Sequence, residues 1–309
     1  MIKTIAVIGS SGYIASALCP RLEQYGFKVI QIESIQFANQ HTTYVNNLLD
    51  SNTNTLFEIL SEADLVIYAA AINGQPATEK EPEIAVWLNG NLPSKISENF
   101  STLYLGAESS YGDVKPKDHK LGIQETDKPN AKVAYAVSKL YGEECVILNK
   151  GTVLRLATVF GPSSNIRTEN LIHGLAVELL QENKLEIYQP DTFRNILYIE
   201  DLLQVLINLI STFNKTDQGQ IYNIATRATT KRTIVETFLD LIYFEKGRDE
   251  YLKIKFVDKK DIENRQFILA TNKIKQRLPN IKIQTEMKNF IQELNFTLNA
   301  LKLEGKHLQ

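Results

Sequence analysis

A tyrosine and a lysine four residues apart, Tyr135 and Lys139, fall in a helix predicted over Lys132–Leu148. Residues at i and i+4 share a helix face. An ammonium beside a phenol favours the phenolate, so Tyr135 is suited to exchange a proton near neutral pH. Such pairs are also common on helix surfaces, and this one gains meaning from a second motif. Gly9-Ser10-Ser11-Gly12-Tyr13-Ile14-Ala15 follows the first apolar run and opens a helix. In a turn of this kind Gly9 permits the tight bend and Gly12 lets backbone N–H groups approach a pyrophosphate. Ala15 is small enough for close helix–strand packing. Glu33 ends the second apolar run, about 20 residues beyond the turn, where a carboxylate meets adenosine ribose hydroxyls. Ser34 follows, with no neighbouring Arg or Lys for a 2′-phosphate, which favours NAD over NADP. The alternative is a solvated glutamate closing a strand.

The elements that must position these residues alternate regularly. Strands are predicted at Thr4–Ile8, Lys28–Ile32, Leu65–Tyr68, Thr102–Leu105 and Thr152–Leu156. Helices are predicted at Ile14–Tyr25, Thr55–Glu62, Glu83–Asn99 and Lys132–Leu148. Further on come a helix at Asn170–Gln181, strands at Leu185–Tyr188 and Arg194–Tyr198, and an apolar helix at Ile199–Ser211. Ile221–Ala225 and Lys253–Val257 read as strands and Gln284–Leu301 as a helix. Buried runs alternating with helices predict an α/β fold, a Rossmann-type doubly wound parallel sheet with a smaller C-terminal substrate-binding lobe. The expected division is residues 1–165 for the dinucleotide domain, with 195–228 returning to it. Residues 166–194 and 229–309 are left for the lobe.

Composition narrows the class. The 309 residues are 43% hydrophobic and 23% charged, as in globular proteins with full cores. Basic and acidic residues number 34 and 36, so the basic excess of a nucleic-acid-coating surface is missing. Cys19 and Cys145 are too few for a disulfide framework and read as small buried hydrophobes. His41, His119, His173 and His307 are scattered, without metal-ligand spacing. There is no signal-peptide pattern and no apolar run near the ~18 residues a membrane span needs. A soluble, cytoplasmic protein is expected.

Taken together, Gly9-x-x-Gly12-x-x-Ala15, Asp64-Leu-Val-Ile-Tyr-Ala-Ala-Ala71 and Tyr135-x-x-x-Lys139 resemble the extended short-chain dehydrogenase/reductases. More narrowly the chain resembles their nucleotide-sugar epimerase/dehydratase branch. Ser110-Tyr111-Gly112-Asp113, Leu154-Arg155, Val159-Phe160-Gly161-Pro162, Phe193–Asp201 and Ile221–Ile224 extend the likeness over about Met1 to Asn299. The resemblance implies NAD as cofactor, a nucleotide-diphosphate sugar as substrate and a homodimer. It implies Tyr135 as catalytic acid/base, and Lys139 as the charge that supports it and holds the nicotinamide ribose. Gly9, Ser11, Gly12, Tyr13 and Ile14 would line the pyrophosphate and Glu33 the adenosine ribose. Ala69, Ala70 and Ala71 would lie along the middle of the cofactor, with Asn89 in the helix behind it. Arg194 and Arg265 fall where a diphosphate is clamped, and Tyr111 is a candidate substrate neighbour.

Ala107, Ser109 and Thr158 depart from that pattern, as does Asn47, which stands where an adenine-contacting Asp is common. Ala107 stands where the family usually carries a Ser or Thr that donates to the reacting oxygen, a role left open to Ser109 or Ser110. Ser109 also stands where a dehydratase carries its acid, with Glu108 one place earlier, which argues against 4,6-dehydration. Thr158 replaces a usual substrate-contacting Asn. The leading expectation is an NAD-dependent 4-epimerase working through a transient keto-sugar. A 4-keto-reductase is the close alternative. A non-catalytic dinucleotide-binding regulatory protein is the alternative of another class.

Overall fold

Alternate residues of the first strand serve two different cores. Ile5 and Val7 pack into one apolar cluster, Ala6 and Ile8 into another on the opposite face. That division requires a sheet covered on both sides. In the computed structural model, which describes residues 2–45, 47–50, 52–115, 122–181, 185–246, 254–258, 267–283 and 287–305, the strands in chain order are as follows. They are β1 (Thr4–Ile8), β2 (Lys28–Glu33), β3 (Tyr44–Val45), β4 (Leu65–Tyr68), β5 (Thr102–Ala107), β6 (Thr152–Leu156), β7 (Thr158–Phe160), β8 (Leu185–Tyr188), β9 (Phe193–Tyr198), β10 (Ile221–Ile224), β11 (Arg227–Thr230) and β12 (Ile254–Val257). Seven form one sheet in the order β10-β6-β5-β4-β1-β2-β3, every pairing parallel. The chain reverses its direction of growth between β1 and β4, and ligands of such sheets bind in the crevice at that point.

Helices α1 (Tyr13–Gln24), α2 (Asn54–Leu60), α3 (Gln75–Lys80), α4 (Pro82–Val86), α5 (Leu92–Ser97) and α6 (Ala134–Leu148) accompany the first six strands. They are followed by α7 (Leu171–Leu180), α8 (Ile199–Ser211), α9 (Lys231–Lys246), α10 (Asn272–Arg277) and α11 (Met287–Gly305). Leu18 and Leu22 of α1 and Leu202 and Leu206 of α8 cover one face of the sheet. Leu56 and Leu60 of α2, Ile96 of α5 and Val146 of α6 cover the other. A third core joins Ile172 and Leu179 of α7, Ile187 of β8, Phe238 of α9 and Phe290 and Leu294 of α11. Two small sheets, β11-β9-β7 and β12-β8, complete the C-terminal half.

The helix predicted over Glu83–Asn99 differs from expectation in an instructive way. It is broken into α4, a π-helical turn Trp87–Asn91, and α5. Pro93 has no N–H to offer the Asn89 carbonyl four residues back. The Tyr104 hydroxyl donates to that carbonyl instead, at 2.7 Å. Gly142 of α6 faces the same carbonyl so closely that a Cβ there would lie 1.9 Å from it. The wide turn is thus held by a sheet residue and by a glycine on the neighbouring helix.

Candidate active site

Two loops at the carboxyl ends of β1 and β4 meet at the reversal point. Gly9 has φ +81°, and a Cβ on it would stand 2.7 Å from the Ala70 backbone, so no side chain fits. Gly12 begins α1 with extended backbone and no side-chain cap, which leaves the first N–H groups of the helix for an anion. Glu33 is buried and its Oε2 accepts from both the Ser11 amide (3.0 Å) and the Ser11 hydroxyl (2.7 Å). The carboxylate therefore braces the turn at the end of β2. From the other side, Asn165 donates to the Ser11 carbonyl at 2.7 Å and Ser163 to the Tyr13 carbonyl at 2.7 Å. The Tyr13 hydroxyl is spent on the Gly161 carbonyl.

Beyond the turn opens a cleft of ≈ 550 Å³. Its wall includes Gly12, Tyr13, Ile14, Ala69, Ala71, Glu108, Ser109, Tyr135, Lys139 and Thr158. Most of the residues singled out from the sequence therefore converge on one space. Lys139 is 3% exposed. Its Nζ donates to the Leu105 carbonyl at 2.6 Å and lies 4.2 Å from the centre of the Tyr104 ring. Burial pushes the Lys139 ammonium down to about 7, and Glu143 one turn away opposes that shift. Glu143 is itself buried and takes a two-pronged ion pair from Arg155, whose Nε lies 3.0 Å from both of its oxygens.

Ser109 is 4% exposed and stands on the cleft wall, and its hydroxyl is buried without a hydrogen-bond partner. A buried donor without a partner is costly, and the residue that carries this one borders the cleft. The Ser110 hydroxyl is equally buried and unpartnered but lies off the cleft. Glu108 accepts from the Asn195 amide at 2.8 Å, and Asn195 is anchored in turn to Phe267 and Leu269.

Several residues implied for the site do not line the cleft. Tyr111 is fully buried behind the wall, where its hydroxyl donates to Asn223 (2.8 Å) and the Gln124 carbonyl. Asn89 is fully buried too: its amide bonds Ile72 N–H, Ile72 C=O and the Ser138 hydroxyl. It braces the cofactor side of the cleft from behind without lining it. Arg194 sits on β9 opposite Thr229, outside the cleft wall. Arg265, His119 and His307 lie outside the described residues. Gln75, Glu79, Arg167, Glu169 and Asn170 line the cleft and were not anticipated. No local motif marks them, because loop folding alone brings them to the site.

A family model described as "NAD dependent epimerase/dehydratase family" matches residues 5–225. The chain belongs to that family. NAD is the family's cofactor, and the residues present fit it. Gly12 opens α1 with no side-chain cap, which leaves helix N–H groups for a pyrophosphate, and Glu33 is a carboxylate at the end of β2. The chain is 26% identical over 216 residues to the spore coat polysaccharide biosynthesis protein SpsK of Bacillus subtilis, covering 67% of this chain and 69% of that protein. It is 25% identical over 200 residues to the GDP-6-deoxy-D-mannose reductase of Pseudomonas aeruginosa, covering 59% and 64%. The fold resembles UDP-glucuronic acid 4-epimerase from Bacillus cereus, solved with UDP-glucuronic acid and NAD (TM-score 0.81, 19% identity, 97% of this chain and 99% of that one). Among the described residues, no helix is long and apolar enough to cross a membrane and no cluster of three or more acidic, His or Cys side chains is arranged to hold a metal.

Proposed function

We propose that the chain is an NAD-dependent nucleotide-sugar 4-epimerase. The observation that carries this reading is the convergence of Tyr135, Lys139 and Ser109, whose hydroxyl has no partner, on one cleft beside the Gly12–Ile14 turn. Bound NAD would take a hydride from the sugar carbon and return it to the other face. Tyr135 removes the proton from the sugar 4-hydroxyl and later gives it back. The charge on Lys139 stabilises the Tyr135 phenolate. Ser109 donates to the reacting oxygen in place of the residue lost at Ala107. Arg167 borders the cleft and suits the substrate's phosphates. Tyr135→Phe is the test: product inverted at C4 should vanish from chromatograms of UDP-, dTDP- and GDP-sugar incubations, and undiminished turnover contradicts the reading.

A second reading, a 4-keto-reductase, is supported by two relatives described as reductases, in Pseudomonas aeruginosa and Haloferax volcanii. It requires one reduced cofactor consumed per product, which incubation with NADH or NADPH and a 4-keto nucleotide sugar registers as lost absorbance at the nicotinamide band.

The active form is a homodimer in this account. Val137, Tyr141 and Leu148 follow helical spacing on α6 and are exposed, as is Val86 of α4, with Leu148 81% exposed. A second copy of this apolar face is its proposed cover. Light scattering should return twice the 35.0 kDa chain mass, and a monomer at micromolar concentration contradicts it.

A further inference from the structure

The helix bearing Tyr135 begins without a cap of its own. Its N-cap residue is Val133, which offers no side-chain acceptor, so the first-turn N–H groups need partners from elsewhere. One comes from 60 residues earlier in the chain. Gln75 Oε1 accepts the Tyr135 amide hydrogen at 3.1 Å. Gln75 is the first residue of α3, and its own amide group donates to Glu79 one turn on. Behind it, Asn89 pins both backbone groups of Ile72 and the hydroxyl of Ser138, which also donates to the Tyr135 carbonyl at 2.9 Å. The stretch from Ala69 to Gln75, which supplies Ala69, Ala71, Asn73, Gly74 and Gln75 to the cleft wall, is thus tied to the first turn of α6 directly at Gln75 and, through Asn89 and Ser138, at Ile72.

We propose that Gln75 is a positioning residue: it caps the Tyr135 amide and couples the cofactor-side wall of the cleft to the catalytic helix. The inference rests on the assignment of Tyr135 given above for its catalytic meaning, but the coupling itself does not. A ligand that orders the Ala69–Gln75 wall also orders the turn that aims Tyr135. Loss of the Gln75 acceptor removes the direct tie and leaves the one through Asn89 and Ser138, and Lys139 stays anchored on Leu105.

The test uses two variants of the full chain. Gln75→Met keeps the length of the side chain and removes the acceptor. The double variant Gln75→Glu with Glu79→Gln restores an acceptor at the same reach, with the donor and acceptor roles exchanged. Amide hydrogen exchange is read by mass spectrometry in peptides covering 132–140, with α8 as the control, with and without NAD. Gln75→Met should exchange about five- to tenfold faster in 132–140 and no faster in α8. NAD should slow 132–140 in the parent and in the double variant, and much less in Gln75→Met. Unchanged exchange in Gln75→Met, uniform loosening that includes α8, or no rescue by the double variant overturns the proposal. Turnover then separates the two claims. A tenfold lower kcat with KM within about twofold of the parent is expected for a misaimed Tyr135. A parent without turnover on any nucleotide sugar sinks the epimerase reading and leaves the exchange result to decide the coupling.

Discussion

The Asn89 amide donates to the Ser138 hydroxyl at 2.9 Å, and through this bond a π-helical turn on one side of the sheet is fastened to the helix that carries Tyr135 and Lys139. The widened turn exists because Pro93 cannot complete a regular one, and π turns recur at functional sites. Asn89 is fully buried, and Asn89→Ala would leave Ile72 N–H and Ile72 C=O without their side-chain partners and Ser138 with only its bond to the Tyr135 carbonyl. The expected loss is about 2–3 kcal/mol of stability by urea denaturation, with weaker NAD binding by calorimetry. A loss below about 0.5 kcal/mol would contradict the bracing role.

Ser109 and Ser110 differ in one respect that matters: only Ser109 stands on the cleft wall. Ser109→Ala should lower kcat about 100-fold, the order expected for losing one donor to a reacting oxygen. Ser110→Ala should stay within about threefold of the parent. Equal effects in steady-state assays would show that neither hydroxyl replaces the donor missing at Ala107.

Lys139 titrates near neutrality, because burial drives its ammonium down to about 7 against the pull of Glu143. Above that pH the charge supporting the Tyr135 phenolate is lost. The pH profile of kcat/KM for the free enzyme should therefore fall on the alkaline side with an apparent pKa near 7. A profile flat between pH 6 and 9, roughly the range in which such a limb must show, would contradict this assignment.

Glu293 on α11 is buried with both carboxylate oxygens unpartnered. Burial first, then the charge of Asp201, pushes its carboxyl up to about 8, with Arg227 opposing. The folded chain keeps a proton that the unfolded chain releases above about 4.3. Stability contributed by the neutral acid is present below that value and is lost as pH rises toward 8. Glu293→Gln should match the parent below pH 4, about where both states are protonated, and unfold at higher urea at pH 8.5, just above the folded value. An equal decline with pH in both proteins would assign the dependence to other groups.

Much of this architecture is legible in the sequence, because the strands of the main sheet, except the two-residue β3, are short, largely apolar runs, several of them separated by helical patterns. Gly9 and Gly12 announce the turn, since few other residues permit a backbone approach of that kind. Tyr135 and Lys139 announce their helix face by spacing alone. What spacing cannot reveal is which side of a wall a residue takes. Tyr111 and Arg194 sit in well-kept motifs, yet one lies behind the cleft and the other beyond it. Gln75, Arg167 and Asn170 carry no local signal, because their place depends on loops that close only when distant strands pair. Pro93 marks the break at Trp87–Asn91 locally, but Tyr104 and Gly142, which hold it, are not near in sequence.

Mass spectrometry of the nucleotide released on denaturing the purified protein tests the central claim most directly. An epimerase that returns its hydride within each cycle has no need to release its cofactor, so close to one NAD per chain is expected. A chain that releases no nucleotide and then binds NADPH more tightly than NAD would contradict both the Glu33 assignment and the epimerase.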